Sequence, residues 1–332
     1  MREAQAFPTH RVEMGRTARG LYESFYFRGN RVGGGPSFWL KHNLLRFSDS
    51  DRVMVETTMI GFPERGDEPR VLRKSCETVT PPGPDWDAIS FDYGDGSFFS
   101  ITRDALSGAI HTAEENVSWD LRLSRSDEPY YHFASPWLYR SPFPKKKILT
   151  RDTLMGFDGV IQWGGRGAES WSGSFIGMNG HNWGTEHAYT YAYADCNEWQ
   201  GGRTAYFDGF SAKIKIASAT TPFLSLCSLR TEHGWFHFNK LLSAHRHRVR
   251  LLTNRSWSVA FESDGFILDV EIEGEGRTWA SLRYLHPNRS ESMVENTKTA
   301  RGALTLTDKG TGRIVDRWFS DRFELETLLH GH

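Results

Sequence analysis

The segment 177–195, GMNGHNWGTEHAYTYAYAD, holds the densest group of side chains in this chain that could do chemistry. Within it, Gly180 and Gly184 bracket the triplet His-Asn-Trp. Glycines let a backbone turn tightly or approach another group closely. We therefore expect the polar side chains between them to be aimed at a partner rather than merely exposed to water.

Parity along an extended chain decides which of these side chains share a face. If the segment is a strand, one face combines a titratable imidazole with aromatic walls, formed by His181, Trp183, His187, Tyr189, Tyr191 and Tyr193. Glu186 then points to the opposite face, and a glycine bulge would break the pattern. Two structural alternatives stay open: His181 as a core histidine bonded to a backbone carbonyl, and the tyrosines as packing residues with their hydroxyls at water.

A second pattern, YFDG at residues 206–209, places Tyr206 and Asp208 two residues apart and so on one face of a strand. A carboxyl buried beside aromatic rings has a raised pKa, because desolvation disfavours its charged form. A neutral acid of this kind can protonate a substrate. The alternative, Asp208 as a turn residue before Gly209, is equally open.

Strands must position these side chains, and the sequence is typical of an all-β protein. Short alternating runs rich in Phe, Trp, Tyr, Val and Ile are punctuated by Gly, Asp and Pro. Asp264-Gly265 between two such runs is the strongest hairpin signal. About eight strands on each side of residues 185–200 predict two β-domains, 1–190 and 191–332, and a barrel of eight strands can hold one small ligand.

The stretch 135–147, SPWLYRSPFPKKK, interrupts the strand pattern. Its prolines remove ladder donors, so it is predicted to cross the surface rather than form a central strand. Lys145, Lys146 and Lys147 at its end are interpreted as a solvated loop.

Charge and composition exclude several classes of function. The 332 residues hold 40 Lys+Arg against 41 Asp+Glu, which gives no electrostatic footprint for nucleic acid or an anionic membrane and fits an uncharged substrate. No run approaches the ~18 apolar residues of a membrane span, and residues 1–20 lack the apolar run of an export signal. Three cysteines without a C-x-x-C motif fit reduced thiols in a cytoplasmic protein.

The histidine-rich segment offers the best metal candidates. His245 and His247 lie at strand spacing, with Glu232, His233 and His237 nearby, but no spacing supplies three or four convergent ligands. We expect no metal there and interpret the segment as a basic edge strand. No glycine-rich phosphate loop or Gly-x-Ser-x-Gly motif occurs in a βα context, so we expect no dinucleotide, phosphoryl or serine-hydrolase chemistry.

Several motifs carry a resemblance to a known family. They are HNWG at 181–184 with the Tyr-x-Asp at 206–208, YESFYFRGN with SFWLKHNLLRF, NVSWDLRL, SPFPKKK, and LRYLHP with VENT. The arrangement resembles the carotenoid 1,2-hydratase (hydroxyneurosporene synthase) and AttH-like family, which is related to tocopherol cyclases and kievitone hydratase-type proteins.

The resemblance implies two tandem lipocalin-like (calycin) antiparallel β-barrel or sandwich domains, with an apolar substrate near their junction. It also implies a reaction without a cofactor, in which an acid protonates an isolated C=C bond and water adds to the carbocation. Carried over by motif, Asp208 is the acid and His181 orients it or activates the water. The rings of Trp183 and Tyr206 would stabilise positive charge.

We therefore predict a cofactor-independent lyase or isomerase, a hydratase, dehydratase or cyclase. The mean hydropathy of −0.53 shows no membrane-facing apolar patch, which favours a compact aromatic or terpenoid molecule over a long carotenoid. The predicted binding residues are Asn182, Glu186, His187, Tyr189, Tyr191 and Tyr193. The aromatic content of 14% fits the walls of such a pocket. The alternative is a lipocalin-like carrier that binds an apolar ligand and releases it unchanged; the oligomeric state stays open.

Overall fold

The computed structural model describes residues 20–64, 68–83, 85, 87–165, 167–216 and 219–329. The expectation about an export signal falls almost wholly on residues 1–19, outside the described residues. Among the residues that are described, no helix has the length and apolar character needed to span a bilayer.

The first half of the chain forms one antiparallel sheet. Its strands are β1 (Leu21–Arg31), β2 (Ser37–Arg46), β3 (Val53–Phe62), β4 (Arg70–Thr78), β5 (Ala88–Asp92), β6 (Phe98–Thr102), β7 (Ala105–His111), β8 (Asn116–Arg125), β9 (Tyr130–Tyr131), β10 (Lys146–Gly164) and β11 (Glu169–Gly184). Their order is β4-β3-β2-β1-β11-β10-β8-β7-β6-β5, with β9 paired to β10. A short helix, α1 (Pro136–Arg140), lies between β9 and β10.

The second half forms another antiparallel sheet. Its strands are β12 (Thr190–Cys196), β13 (Ala205–Lys213), β16 (Leu224–Thr231), β17 (Gly234–Phe238), β18 (Arg248–Leu252), β19 (Ser256–Glu262), β20 (Phe266–Glu273), β21 (Ala280–Leu285), β22 (Glu291–Asp308) and β23 (Ile314–Leu328). Their order is β17-β16-β13-β12-β23-β22-β20-β19-β18, with β21 paired to β22. A separate two-stranded ribbon joins β14 (Lys215–Ile216) to β15 (Ala219–Thr220), and 3-10 turns occupy Gln200–Gly202 and Leu241–Arg246.

Burial patterns show which faces of the strands are covered. Strand β8 alternates, with Val117, Trp119 and Leu121 buried and their neighbours more exposed, as expected for a sheet with one wet face. Strands β1, β2 and β12 are buried on both faces along almost their whole length. The inner face of each sheet packs on its own apolar core, and the other face of these strands packs in the junction between the sheets.

The predicted fold class is confirmed: the protein is nearly all-β, with two curled antiparallel sheets. The chain passes from the first sheet to the second between Gly184 and Thr190. Asp264-Gly265 turns the hairpin between β19 and β20, as predicted.

Three local expectations are corrected. Lys146 and Lys147 are not in a solvated loop but begin β10, and the Lys147 ammonium donates to the carbonyls of Ser141 and Pro144. The proline-rich crossing segment is only partly on the surface, because Leu138 of α1 is buried in the junction.

The third correction concerns the histidine-rich segment. His245 lies within the 3-10 turn Leu241–Arg246, and His247 is buried and bonded to the Phe238 carbonyl, so the basic edge strand β18 begins only after them. In the part of the chain that the structure describes, no group of three or more His, Cys, Asp or Glu side chains could hold a metal ion.

Candidate active site

Three buried carboxyls lie in one cross-strand row on the junction face of the second sheet. Asp195 on β12 pairs directly with Asp208 on β13 and with Glu324 on β23. Directly paired residues on neighbouring strands point to the same face of a sheet. The next row, displaced by two residues, contains Phe210, Tyr193 and Glu326.

The first sheet presents a matching row toward these carboxyls. Thr150, Gly180, Tyr26 and Lys41 are paired in register across β10, β11, β1 and β2. Gly180 has a packing role, because a Cβ at this position would lie 2.1 Å from Cζ of the Tyr26 ring. The absence of a side chain therefore lets the Tyr26 ring lie flat across the sheet.

Asp208 is the centre of this arrangement. Its side chain is fully buried, and its Oδ2 accepts hydrogen bonds from Thr150 Oγ1 at 2.6 Å, the Tyr206 hydroxyl at 2.6 Å and the Tyr193 hydroxyl at 3.4 Å. Burial raises the pKa of Asp208 to about 7, although these three donors lower it in part. The acid is thus poised to hold or release a proton near neutral pH.

The two carboxyl oxygens of Asp208 differ in their surroundings. Oδ2 receives all three donors, whereas buried Oδ1 has no hydrogen-bond partner among the described residues. All three donors thus stabilise the ionised form of the acid through the same oxygen. His132 Nε2 lies 3.5 Å from Asp208 Oδ2, and burial lowers the pKa of His132 to about 3, so this neighbour is a neutral imidazole.

A cavity opens in the junction beside Asp208. We call it the apolar chamber; it is lined by Phe133, Phe143, Pro144, Lys145, Lys146, Ile148, Glu186, His187, Ala188, Tyr191, Tyr193, Phe210, Ala212, Ile214, Leu224, Leu226 and Leu241. Its volume of about 100 Å³ is several times the ~10–15 Å³ needed by one water molecule. Tyr193 belongs to its wall and also donates to Asp208, so this hydroxyl connects the acid to the chamber.

A second cavity adjoins the first. This polar chamber is lined by Tyr26, Trp39, Lys41, Lys146, Ile148, Asn182, His187, Tyr193, Tyr284, Glu324 and Glu326. The two chambers share Lys146, Ile148, His187 and Tyr193 as a common wall. A ligand whose parts differ in polarity would find a matching environment on each side of that wall.

A buried network of charges joins the two sheets next to the polar chamber. Arg28 on β1 pairs with Asp195 and also donates to Asn197, while its Nε lies 3.7 Å from Glu324. Lys298 Nζ donates to Glu324 at 2.6 Å. Burial, together with the nearby Asp195, raises the pKa of Glu324. The network is fully enclosed, so each charge depends on its partner.

The structure does not bring His181 to Asp208. His181 pairs in register with Leu149, whereas the next residue, Thr150, contacts Asp208. Neighbouring residues of a strand point to opposite faces, so the His181 side chain lies on the face of the first sheet that points away from Asp208. His181 Nε2 lies 2.9 Å from Glu23 Oε1, and its ring stacks on Phe25. Trp183 shares this face with His181 and stacks on it, with the ring centroids 4.6 Å apart.

The remaining predicted residues fall into three places. Tyr206 is buried on the same face as Asp208. Its hydroxyl donates a hydrogen bond to the acid, whereas the sequence predicts that its ring face stabilises positive charge. Those lining a chamber are Asn182, Glu186, His187, Tyr191 and Tyr193. Tyr189, in the part of the chain that the structure describes, lines neither chamber, and its ring lies 3.8 Å from Lys215 Nζ.

Sequence reasoning missed Thr150, His132, Lys41 and Lys146 at this site. No catalytic motif marks Thr150 or Lys41, which lie within strands β10 and β2. The run of lysines around Lys146 predicts a solvated loop, which hides its place in the chamber wall. Only the pairing of the two sheets shows that these polar side chains face an interior.

Comparisons with known proteins show which solved structures share this fold. No family model and no curated protein matches the chain. A protein from Nitrosomonas europaea provisionally named AttH matches with a TM-score of 0.51 at 12% identity, over 97% of this chain and 98% of that chain. Kievitone hydratase from Nectria haematococca matches with a TM-score of 0.51 at 7% identity, over 94% and 89%.

A third solved structure, that of CghA, matches with a TM-score of 0.50 at 10% identity, over 99% of this chain and 97% of that chain. These likenesses extend over nearly the whole chain and show a shared fold. The predicted architecture of tandem lipocalin-like sheets is confirmed.

Proposed function

We propose that the protein is a cofactor-independent lyase or isomerase that protonates a C=C bond of a compact aromatic or terpenoid molecule held in the junction. The observation that carries the proposal is a buried carboxyl, Asp208, with its pKa raised to about 7 behind the wall of an apolar cavity. This is the environment that lets a carboxylic acid act as a proton donor near neutral pH. A protein of the same fold, kievitone hydratase, is by name a hydratase.

Asp208 and Tyr193 would act in sequence. The Tyr193 O–H bond breaks as a C–H bond forms on the substrate, and the Tyr193 oxygen takes the proton held by Asp208. Water adds to the resulting carbocation, and the proton it releases returns to Asp208 through Tyr193. Loss of a neighbouring proton from the same cation gives an isomer, and attack by a substrate hydroxyl gives a ring.

The cavity walls suit a cationic intermediate. Aromatic rings of Phe133, Phe210, Tyr191 and Tyr193 line the apolar chamber, and ring faces attract positive charge. These rings take the part that the sequence assigned to Trp183 and Tyr206. We further propose that the two sheets represent domains 1–190 and 191–332, each of which contributes residues to the site.

A panel of phenolic and terpenoid compounds tests the function. Each compound is incubated with the protein and analysed by mass spectrometry for the gain or loss of one water molecule, and by chromatography for isomers of unchanged mass. We expect at least one such product. If ligands bind but are all recovered unchanged, the protein is a carrier and the enzymatic proposal is wrong.

The pH dependence of turnover gives a sharper test of the acid. Because the protonated form of Asp208 is the active one, the rate should be full at low pH and fall as pH rises through about 7. The Tyr206 hydroxyl stabilises the charged form, so Tyr206→Phe should raise the pKa of Asp208 and move this fall to higher pH, by about one pH unit.

The matched control is Tyr93→Phe, which removes a hydroxyl bonded to Thr57 in the first sheet, away from the junction. Its pH profile should coincide with that of the unmodified protein. A Tyr206→Phe profile that shifts to lower pH, or does not shift, would contradict the assigned hydrogen bond to the acid.

A further inference from the structure

The polar chamber holds two lysines whose ammonium groups lack a carboxylate partner. Lys41 is buried and Lys146 half-buried, and both line the chamber. Among the described residues, no carboxylate oxygen lies within 4.0 Å of either ammonium nitrogen. Instead, Lys41 Nζ lies 3.8 Å from the centre of the Tyr284 ring, and Lys146 Nζ lies 4.9 Å from that of Tyr191.

The carboxylates of the same chamber are already engaged. Glu326 accepts hydrogen bonds from the Tyr191 hydroxyl at 2.5 Å, the Tyr284 hydroxyl at 3.0 Å and the Asn296 amide at 2.9 Å. Glu324 is paired with Lys298. The other charges nearby balance in pairs, namely Lys298 with Glu324, Arg28 with Asp195 and Arg73 with Glu56. The two lysines are then left with the carboxylate of Glu326, which gives an excess of one positive charge.

This excess is costly without a ligand. Burial in the chamber lowers the pKa of Lys41 to about 8 and also lowers that of Lys146, because a poorly solvated ammonium is destabilised. His187 in the common wall adds no charge, since burial and the nearby lysines lower its pKa. An anion entering the chamber would meet two donors and relieve the unfavourable charge.

We infer that the ligand is monoanionic, with a carboxylate, enolate or phenolate head bound between Lys41 and Lys146 and an apolar body in the apolar chamber. Lys146 lines both chambers, so head and body can be parts of one molecule. The inference rests on the proposed function in one respect, because that proposal places the reacting part of the ligand in the apolar chamber. It replaces the expectation of an uncharged substrate drawn from the overall charge balance.

Two fluorescent probes of nearly the same shape test the inference. 8-Anilinonaphthalene-1-sulfonate carries one negative charge, and N-phenyl-1-naphthylamine carries none. Fluorescence titration of the whole protein should show tighter binding of the anionic probe. Lys41→Met and Lys146→Met, which keep the apolar stem, should each weaken the anionic probe by about tenfold, as expected for a lost charged hydrogen bond, and change the neutral probe less than twofold.

The control is Lys309→Met, which removes the same charge from an exposed pair with Glu262 and should change neither probe. Thermal unfolding of each variant shows whether it remains folded. Equal losses for both probes, or equal affinities in the unmodified protein, overturn the anionic head while leaving the apolar site in place. The proposed reaction fails separately, if bound compounds of the panel give no product.

Discussion

Asp208→Asn should reduce turnover by about 10²–10⁴-fold while the protein stays folded and binds its ligand with nearly unchanged affinity. The amide keeps the shape of the carboxyl and can still accept from Thr150 and Tyr206, but it has no acidic proton to transfer. Initial rates under saturating and limiting substrate separate kcat from KM. The loss should fall on kcat.

The same variant should gain stability at high pH. Burial raises the pKa of Asp208 in the folded protein to about 7, above its ordinary value of 3.8, so the folded state holds a proton that the unfolded state releases. Stability of the unmodified protein should therefore fall as pH rises between about 4 and about 7. Asparagine has no such dependence, and above pH 7 the variant should be the more stable protein by on the order of a few kcal/mol.

Asp158→Asn serves as the control, since Asp158 is exposed and pairs with Arg122. It should leave turnover unchanged and affect stability little. If Asp208→Asn keeps full turnover, Asp208 is not the acid. If it loses turnover but gains no stability at pH 8, folding does not raise the pKa of Asp208, the carboxyl is ionised at neutral pH and its role is electrostatic.

Arg28→Met should destabilise the protein by about 3–5 kcal/mol. The side chain is fully buried, and its removal leaves Asp195 without its ion pair and Glu324 with Lys298 as its remaining cation. Because Arg28 belongs to the first sheet and Asp195 to the second, the loss falls on the docking of the sheets. Urea denaturation monitored by tryptophan fluorescence measures the free energy of unfolding.

Arg122→Met is the matched control, since it breaks an ion pair with Asp158 on the surface and should cost at most about 1 kcal/mol. Adding Asp195→Asn to Arg28→Met should recover part of the lost stability, because no buried carboxylate is then left without its cation. A loss below about 1 kcal/mol for Arg28→Met alone would show that the docking of the two sheets does not depend on this guanidinium.

The strands were predictable because alternation is a local property. In β8, the residues that alternate in polarity also alternate in burial. Tyr206 and Asp208 share a face because they are two residues apart on β13, and the same rule places His181 and Trp183 together on β11. Parity within a strand needs no knowledge of the rest of the fold.

Which face of a strand meets the other sheet was not predictable. Both faces of β11 are buried near His181, so its aromatic and polar neighbours mark either face equally well. Two of the side chains that contact Asp208, Thr150 and His132, come from β10 and the segment after β9, far away in sequence. Lys146 could not be predicted for the same reason. A run of lysines indicates exposure to solvent, and only the second sheet, which covers Lys146, places it in a chamber wall.

The donors to Asp208 make its acidity a measure of how well the two sheets fit. Thr150 approaches from the first sheet, whereas Tyr193 and Tyr206 approach from the second, and each bond to Oδ2 favours the ionised form. A substitution anywhere in the junction that separates the sheets by a few tenths of an ångström would lengthen the bond from Thr150 and make the acid weaker. Distant packing changes would thus show themselves as a displaced titration curve before any loss of folded protein.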